Sequence, residues 1–287
     1  PEHSEEEVVS RLEYCRSNSI RFLELSSSHK KVIPVAVIHG QSNEQRLIEY
    51  EYYKQQGFKY IALGGMVPYS TKREKVLDII AGVIDIENPL ISENSILASC
   101  RRDGIKIHIF GLNSPEWVRW WYRLKIDSFD GSKLSTEGAA NGWYWMAKIC
   151  DNPRTATDLY DRINVKKMTL SPWKWIPGII SQPIVPVNEK NIDTNCNCIA
   201  CVYLSNSCCV GKKCNLRKDE LGFNGVNGHA SDPRMMGSRE HNMGRVVHNS
   251  YVYESIINQI RDLIVKANSD DSDEGEWLNN WKYIEVS

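Results

Sequence analysis

The sequence predicts an α/β protein built on a parallel sheet, of the kind that closes into a (β/α)8 barrel of the TIM type. Three observations predict it: short apolar runs alternate with helix-length segments, three of those runs lead into glycine, and chemically capable residues follow them closely. A barrel places its active site on the side where its strands end. About four β/α units can be counted, which is half a barrel, and an open four-stranded sheet is the alternative. The chain begins at Pro1 without an initiator methionine, so the other half is expected upstream.

The elements follow in order. Val8, Val9, Leu12, Cys15 and Ile20 fall near helical spacing, so the first thirty residues read as one amphipathic helix ended by a Ser-Ser-Ser-His break. Residues 32–38 (VIPVAVI) form a buried strand, 43–56 a helix, and 60–63 (YIAL) a second strand running into Gly64-Gly65. Helices are expected over 71–85 and 94–102, then a third strand over 105–110 (IKIHIF) that meets Gly111. Ser114-Pro115 supplies an N-cap and a first-turn proline for an aromatic helix through Leu124. Residues 126–129 (IDSF) deliver Asp130-Gly131.

The expected organisation is a barrel half over 1–142, a Trp/Pro-rich insertion over 143–190, a metal-binding subdomain with its helix over 191–267, and an acidic linker with an aromatic tail over 268–287. The insertion's Trp143, Trp145, Trp173 and Trp175 could stack on bases or pack an irregular core. Trp277, Trp281 and Tyr283 are expected to dock the tail. No run of eighteen apolar residues and no secretory pattern occurs, so a cytosolic protein without a membrane span is expected.

A formal net charge of −1 excludes a protein basic all over, so nucleic-acid contact requires a local patch. Residues 206–247 carry seven Lys/Arg against four acids, and Lys212, Lys213 and Arg239 are candidate phosphate contacts there; a solvated loop is the plain alternative.

Six of nine cysteines crowd between Cys196 and Cys214, while Cys15, Cys100 and Cys150 read as reduced packing residues. Cys196-x-Cys198-x-x-Cys201 places three thiolates in one tight turn, as soft ligands close three corners of a zinc tetrahedron. The fourth ligand could be Cys208, Cys209, Cys214, His229, His241 or His248, and spacing does not choose among them. His248 has the best setting, on the expected first turn of the helix carrying Ile256, Ile257, Ile260, Leu263 and Ile264. Four protein ligands leave no open position, so a structural zinc is expected, with free buried cysteines as the alternative.

The segments GFKYIALGG (57–65), KIHIFGLNSPEWV (106–118), IDSFDG (126–131), CNCIAC (196–201) and HNSYVYESIINQIRDLI (248–264) together resemble the tRNA-guanine transglycosylase superfamily, in order and spacing over residues 32–265. The resemblance implies a (β/α)8 barrel with a zinc subdomain, and selects His248 as the fourth ligand beside Cys196, Cys198 and Cys201. It implies that Asp130 is the nucleophile and Asp127 merely a neighbour. It places Gly64 and Gly65, with the adjoining Met66, and Phe110 with Gly111 around the exchanged base. A carboxylate at a strand end suits attack on C1′ of a flipped-out nucleotide, giving a covalent glycosyl intermediate. The second carboxylate of the family falls in the half expected upstream.

Two departures matter. Where the family has V-Q-G-G, this sequence has Ile38-His39-Gly40-Gln41, so base recognition is expected to use His39 and Gln41. Where the tRNA enzymes carry an arginine-bearing loop after the nucleophile, residues 132–142 contain none, and Lys133 is the candidate phosphate contact. These features are similar to the DNA-modifying branch, which exchanges guanine for 7-cyano-7-deazaguanine (preQ0) and implies an ATPase- or helicase-like partner that opens the duplex. A tRNA enzyme of the queuosine or archaeosine pathway, a non-catalytic zinc-bearing accessory subunit, and a binding module without chemistry are the rival readings.

Overall fold

The computed structural model describes residues 4–140, 143–164, 240–269 and 275–287. Contacts divide the chain into two units, one formed by Pro1–Gly131 with Trp281–Ser287, the other by Ser132–Asn280.

The first unit is a mixed α/β structure. In chain order it holds α1 (Glu5–Ser26), β1 (Ala36–Ile38), α2 (Asn43–Gln55), β2 (Tyr60–Leu63), α3 (Arg73–Ala81), α4 (Ile96–Asp103), β3 (Lys106–Ile109), α5 (Pro115–Arg123) and β4 (Ser128–Phe129). The four strands are all parallel and lie in the order β1-β2-β3-β4. Register pairs Ala36 with Ile61 and Ile61 with Ile107; one step on, Ile38 meets Leu63 and Leu63 meets Ile109. Because strand side chains alternate between faces, these six residues share one face. All are at most 1% exposed and join one core cluster with Leu77 and Ile80 of α3, Leu97 of α4 and Trp121 of α5. Burial of each isoleucine or leucine among them contributes roughly 1.5–3 kcal/mol.

Local chemistry explains where the elements stop. The first strand is shorter than the expected 32–38, consistent with Pro34, which has no N–H to give a ladder. The fourth begins at Ser128 rather than 126, and the Asp127 side chain accepts the Ile107 N–H at 2.9 Å in place of main chain. The expected helix over 71–85 ends at Ala81, because Gly82 turns left-handed at φ 62 and its N–H caps Asp78 O. Gly104 ends α4 in the same way at φ 64. Ser114 caps α5 from Trp117 N with Pro115 at the first position, as expected. Glu49 of α2, 2% exposed, holds Arg16 of α1 through two hydrogen bonds of 2.6 and 3.2 Å.

The aromatic tail docks on this unit. Trp281 is fully buried with Arg119 5.6 Å over its ring, Arg123 donates to Lys282 O at 2.8 Å, and Val286 bridges to Ile91. Burial, then the charge of Arg119, push the Arg123 guanidinium down to about 10.

The second unit contains α6 (Lys133–Ser135), a π-helical turn over Thr136–Ala140, the antiparallel strands β5 (Trp143–Ala147) and β6 (Tyr160–Asn164), and the long helix α7 (Glu240–Ala267). The start of the expected insertion is therefore a regular hairpin. Val252, Ile256, Ile260 and Ile264 recur every four residues and are buried. Asn249, fully buried, accepts from Trp145 N at 2.9 Å and donates to Trp143 O at 3.0 Å, so one amide bonds the main chain of β5 at two points. Free thiols among the described residues are Cys15, Cys100 and Cys150; burial raises Cys100 to about 12.

Trp281→Ala should lower stability by roughly 3–5 kcal/mol, the cost of an emptied aromatic site. Denaturant unfolding followed by circular dichroism measures it, and an unchanged midpoint would mean that the tail does not contribute to folding.

Candidate active site

The face of the sheet opposite the apolar core carries the candidate chemistry. The ladder runs past the strand ends through Gly64 N to Ile38 O, Phe110 N to Leu63 O and Asp130 N to Ile109 O, at 3.2, 3.4 and 3.2 Å. Alternation then puts His39, Gly64, Phe110 and Asp130 on one face, with His108 and Ser128 a step below and Tyr60 a further step down. Contacts agree: a Cβ at Gly64 would sit 2.7 Å from His39 Cε1, and the His108 and Phe110 rings meet edge to face at 4.6 Å.

Asp130 is exposed, its side chain 54% accessible. Its Oδ1 accepts the Gly111 N–H at 2.7 Å, and Oδ2 lies 3.8 Å from His108 Nε2. Gly111 has φ 79, and a Cβ there would collide with Val67, so the amide is presented by a backbone that only glycine adopts freely. Gly131 O accepts from Asn113 Nδ2 at 3.0 Å and steadies the turn beyond the carboxylate. Asp127 is occupied by Ile107 N and takes no part in this group.

The remaining base-contact candidates divide. Gly65 has φ 75 with open space around it, and Phe110 is half-buried, so both lie where a planar ligand could approach. Met66 is 1% exposed within the core, where it underlies the Gly64-Gly65 turn as packing. His39, Gly40 and Gln41 line an open cleft of about 610 Å³ with Val8, Leu12 and Cys15 of α1. The Gln41 N–H bonds Gln45 Oε1 at 2.8 Å. Desolvation lowers the pKa of His39, against the charge of Glu49, so its ring is neutral at pH 7.

Lys133 lies in the second unit, where it is tied to Glu137, a residue that the sequence did not single out. Its Nζ is 2.9 Å from Glu137 Oε1, which also receives Arg162 Nη1 at 2.9 Å, while Oε2 accepts Trp145 Nε1 at 2.5 Å. Glu137 is 3% exposed, so Lys133 serves a buried carboxylate. Trp145 is fully buried and available to no base; Trp143 carries Arg162 at 4.5 Å over its ring.

His248 lies in the third turn of α7, not on the first turn expected from the sequence, because the helix begins at Glu240. It is 2% exposed, with Nε2 2.9 Å from Trp145 O. Desolvation lowers its pKa, outweighing the carbonyl contact, and the neutral ring that donates from Nε2 carries its lone pair on Nδ1. A histidine fixed in this manner by a main-chain carbonyl is in the form that ligates metal. Cys196, Cys198 and Cys201 lie outside the described residues, as do Lys212, Lys213, Arg239, Trp173 and Trp175. Among the described residues no group of three His, Cys, Asp or Glu is placed to hold a metal, and no helix is long and apolar enough to cross a membrane.

No protein-family model matches the chain, and no curated protein matches it.

Glu137→Ala should destabilise the second unit by about 2–3 kcal/mol, since it strands the buried Trp145 N–H and removes two cations' partner. Glu137→Gln, which keeps an acceptor, should recover about half of that on the same grounds. Equal losses in the two variants by chemical denaturation would deny the hydrogen bond its part.

Proposed function

We propose that this chain is a guanine transglycosylase acting on DNA, exchanging guanine for a 7-deazaguanine such as preQ0. The observation that carries the reading is Asp130: an exposed strand-end carboxylate with one oxygen held by Gly111 N–H, on the same sheet face as His39, Gly64 and Phe110. The motif resemblance supplies the chemistry. Asp130 Oδ2 attacks C1′ of the flipped nucleotide, the C1′–N9 bond breaks, and its electron pair leaves with guanine, which is protonated by an acid or by solvent. N9 of the deazaguanine then gives up its proton and displaces the carboxylate, so two inversions retain configuration.

The fold reading goes with it. A parallel sheet in sequential strand order, with all its helix-packed apolar residues on one face, fits one half of a (β/α)8 barrel whose other face is the lumen. We infer that zinc is held by Cys196, Cys198, Cys201 and His248; His248 has the tautomer and burial for this, and the ion's part is structural. His39 and Gln41 would read the base where the family uses glutamine. An ATPase- or helicase-like partner would expose the base, and a DNA substrate would place the protein in the cytosol.

The full chain should be incubated with single-stranded and duplex DNA and preQ0, then digested for nucleoside mass spectrometry, with Asp130→Ala alongside. Deazaguanine deoxynucleoside from the parent and none from the variant is the expected result. Product on tRNA alone would assign the tRNA branch, Asp130→Ala with full activity would remove Asp130 as the nucleophile, and no product on either polymer would return the chain to an accessory role. Elemental analysis should find one zinc per chain, lost from Cys198→Ala and His248→Ala together with a fall in melting temperature. A metal-free parent with unchanged melting would dismiss the zinc site.

A further inference from the structure

The described residues hold one imidazole nitrogen beside Asp130 that the chemistry above leaves unused. His108 Nε2 is buried without a hydrogen-bond partner and stands 3.8 Å from Asp130 Oδ2, the oxygen not engaged by Gly111. That distance is beyond a hydrogen bond. Rotation of the exposed Asp130 carboxylate about its own side-chain torsions can close it, and catalytic contacts often tighten only when substrate binds.

The other side of the ring fixes its polarity. His108 Nδ1 lies 2.6 Å from Ser128 Oγ, its ladder partner on β4, and Ser128 Oγ is in turn in close contact with Tyr60 OH of β2. With the proton on Nδ1, a bare Nε2 lone pair would face a carboxylate, which is repulsive. With the proton on Nε2, the bonds run one way: Tyr60 O–H to Ser128, Ser128 O–H to His108 Nδ1, and His108 Nε2–H toward Asp130. Every group then has a donor facing an acceptor. Phe110, edge-on at 4.6 Å, limits ring rotation. Desolvation lowers the pKa of His108, against the pull of Asp130, and this keeps the ring neutral at pH 7.

We propose that His108, oriented by Ser128 and Tyr60, is a positioning residue that holds the attacking oxygen of Asp130 through its Nε2–H. The proposal rests on the reading of Asp130 as nucleophile, and deepens it. Gly111 fixes Oδ1 and His108 fixes Oδ2, so both oxygens of the carboxylate are held from β3 and the turn that follows it.

Two measurements on the full chain test it, one without activity. Imidazole 15N spectra, assigned by difference with His108→Gln, should show the Nε2–H tautomer for His108, and the Nε2 resonance should move in Asp130→Asn. A Nδ1–H tautomer, or a His108 signal indifferent to Asp130→Asn, overturns the geometry. In base exchange, His108→Phe should lower kcat by ~10–100-fold with KM within about twofold, the usual scale for a group acting through another. His108→Gln, which places an amide N–H where Nε2 stood, should restore most of the rate at an unchanged melting temperature. Parent-like kcat in His108→Phe overturns the role, as does a folded His108→Gln no faster than His108→Phe. If the parent exchanges no base in DNA or tRNA, the functional reading fails instead, and the 15N spectra alone decide the geometry.

Discussion

The parallel register between β3 and β4 is the constraint on which the first unit depends. His108 opposite Ser128 and Ile109 opposite Phe129 decide, residue by residue, what faces helices and what faces the open side. A slip of β3 by one position would send Ile107 and Ile109 out of the core and bring His108 into it, and the same slip of β4 would exchange Phe129 for Asp130. Burying an unpaired imidazole or carboxylate in place of apolar side chains would cost several kcal/mol. Apolar packing therefore aims the chemistry: the isoleucines that stabilise the sheet are the same residues whose alternation places Asp130.

The second unit is organised on another principle. Here a buried carboxylate and a buried amide act beside the two-stranded ladder of β5 and β6. Glu137 gathers Lys133, Arg162 and Trp145, and Asn249 with His248 hydrogen-bonds the main chain of β5. The close approach of the π-helical turn to α7 requires a residue without a side chain at Gly138, whose Cβ would lie 3.0 Å from Val246 N. Polar groups buried in this way specify a single packing arrangement only when every one is satisfied.

Alternation and caps were legible in the sequence. The strands YIAL and IKIHIF, the Ser114-Pro115 helix start and the position of Asp130 at a strand end all follow from local rules, and the structure places them as those rules require. What escaped was set by pairing across strands. His108 reads as one polar residue in an apolar strand until register puts Ser128 against it; only the alternation within IKIHIF hinted that it shares a face with Phe110. Glu137 looked like any loop acid, since its burial comes from Trp145 and Arg162, eight and twenty-five residues away. Helix lengths failed at Gly82, where a left-handed glycine ended a pattern that hydrophobic periodicity would have continued. His248 was misplaced by two turns because α7 begins in a polar stretch without apolar periodicity.

The Gly111 contact has an evolutionary consequence. A main-chain amide is present at position 111 whatever codon is written there, proline excepted, so that half of the grip on Asp130 cannot be lost by ordinary drift in side-chain chemistry. What selection must guard at that position is room, between Val67 and a left-handed backbone. At 108 the reverse holds: the identity of a single side-chain nitrogen carries the contact. The two hands on one carboxylate are thus constrained by different rules, one steric and one chemical.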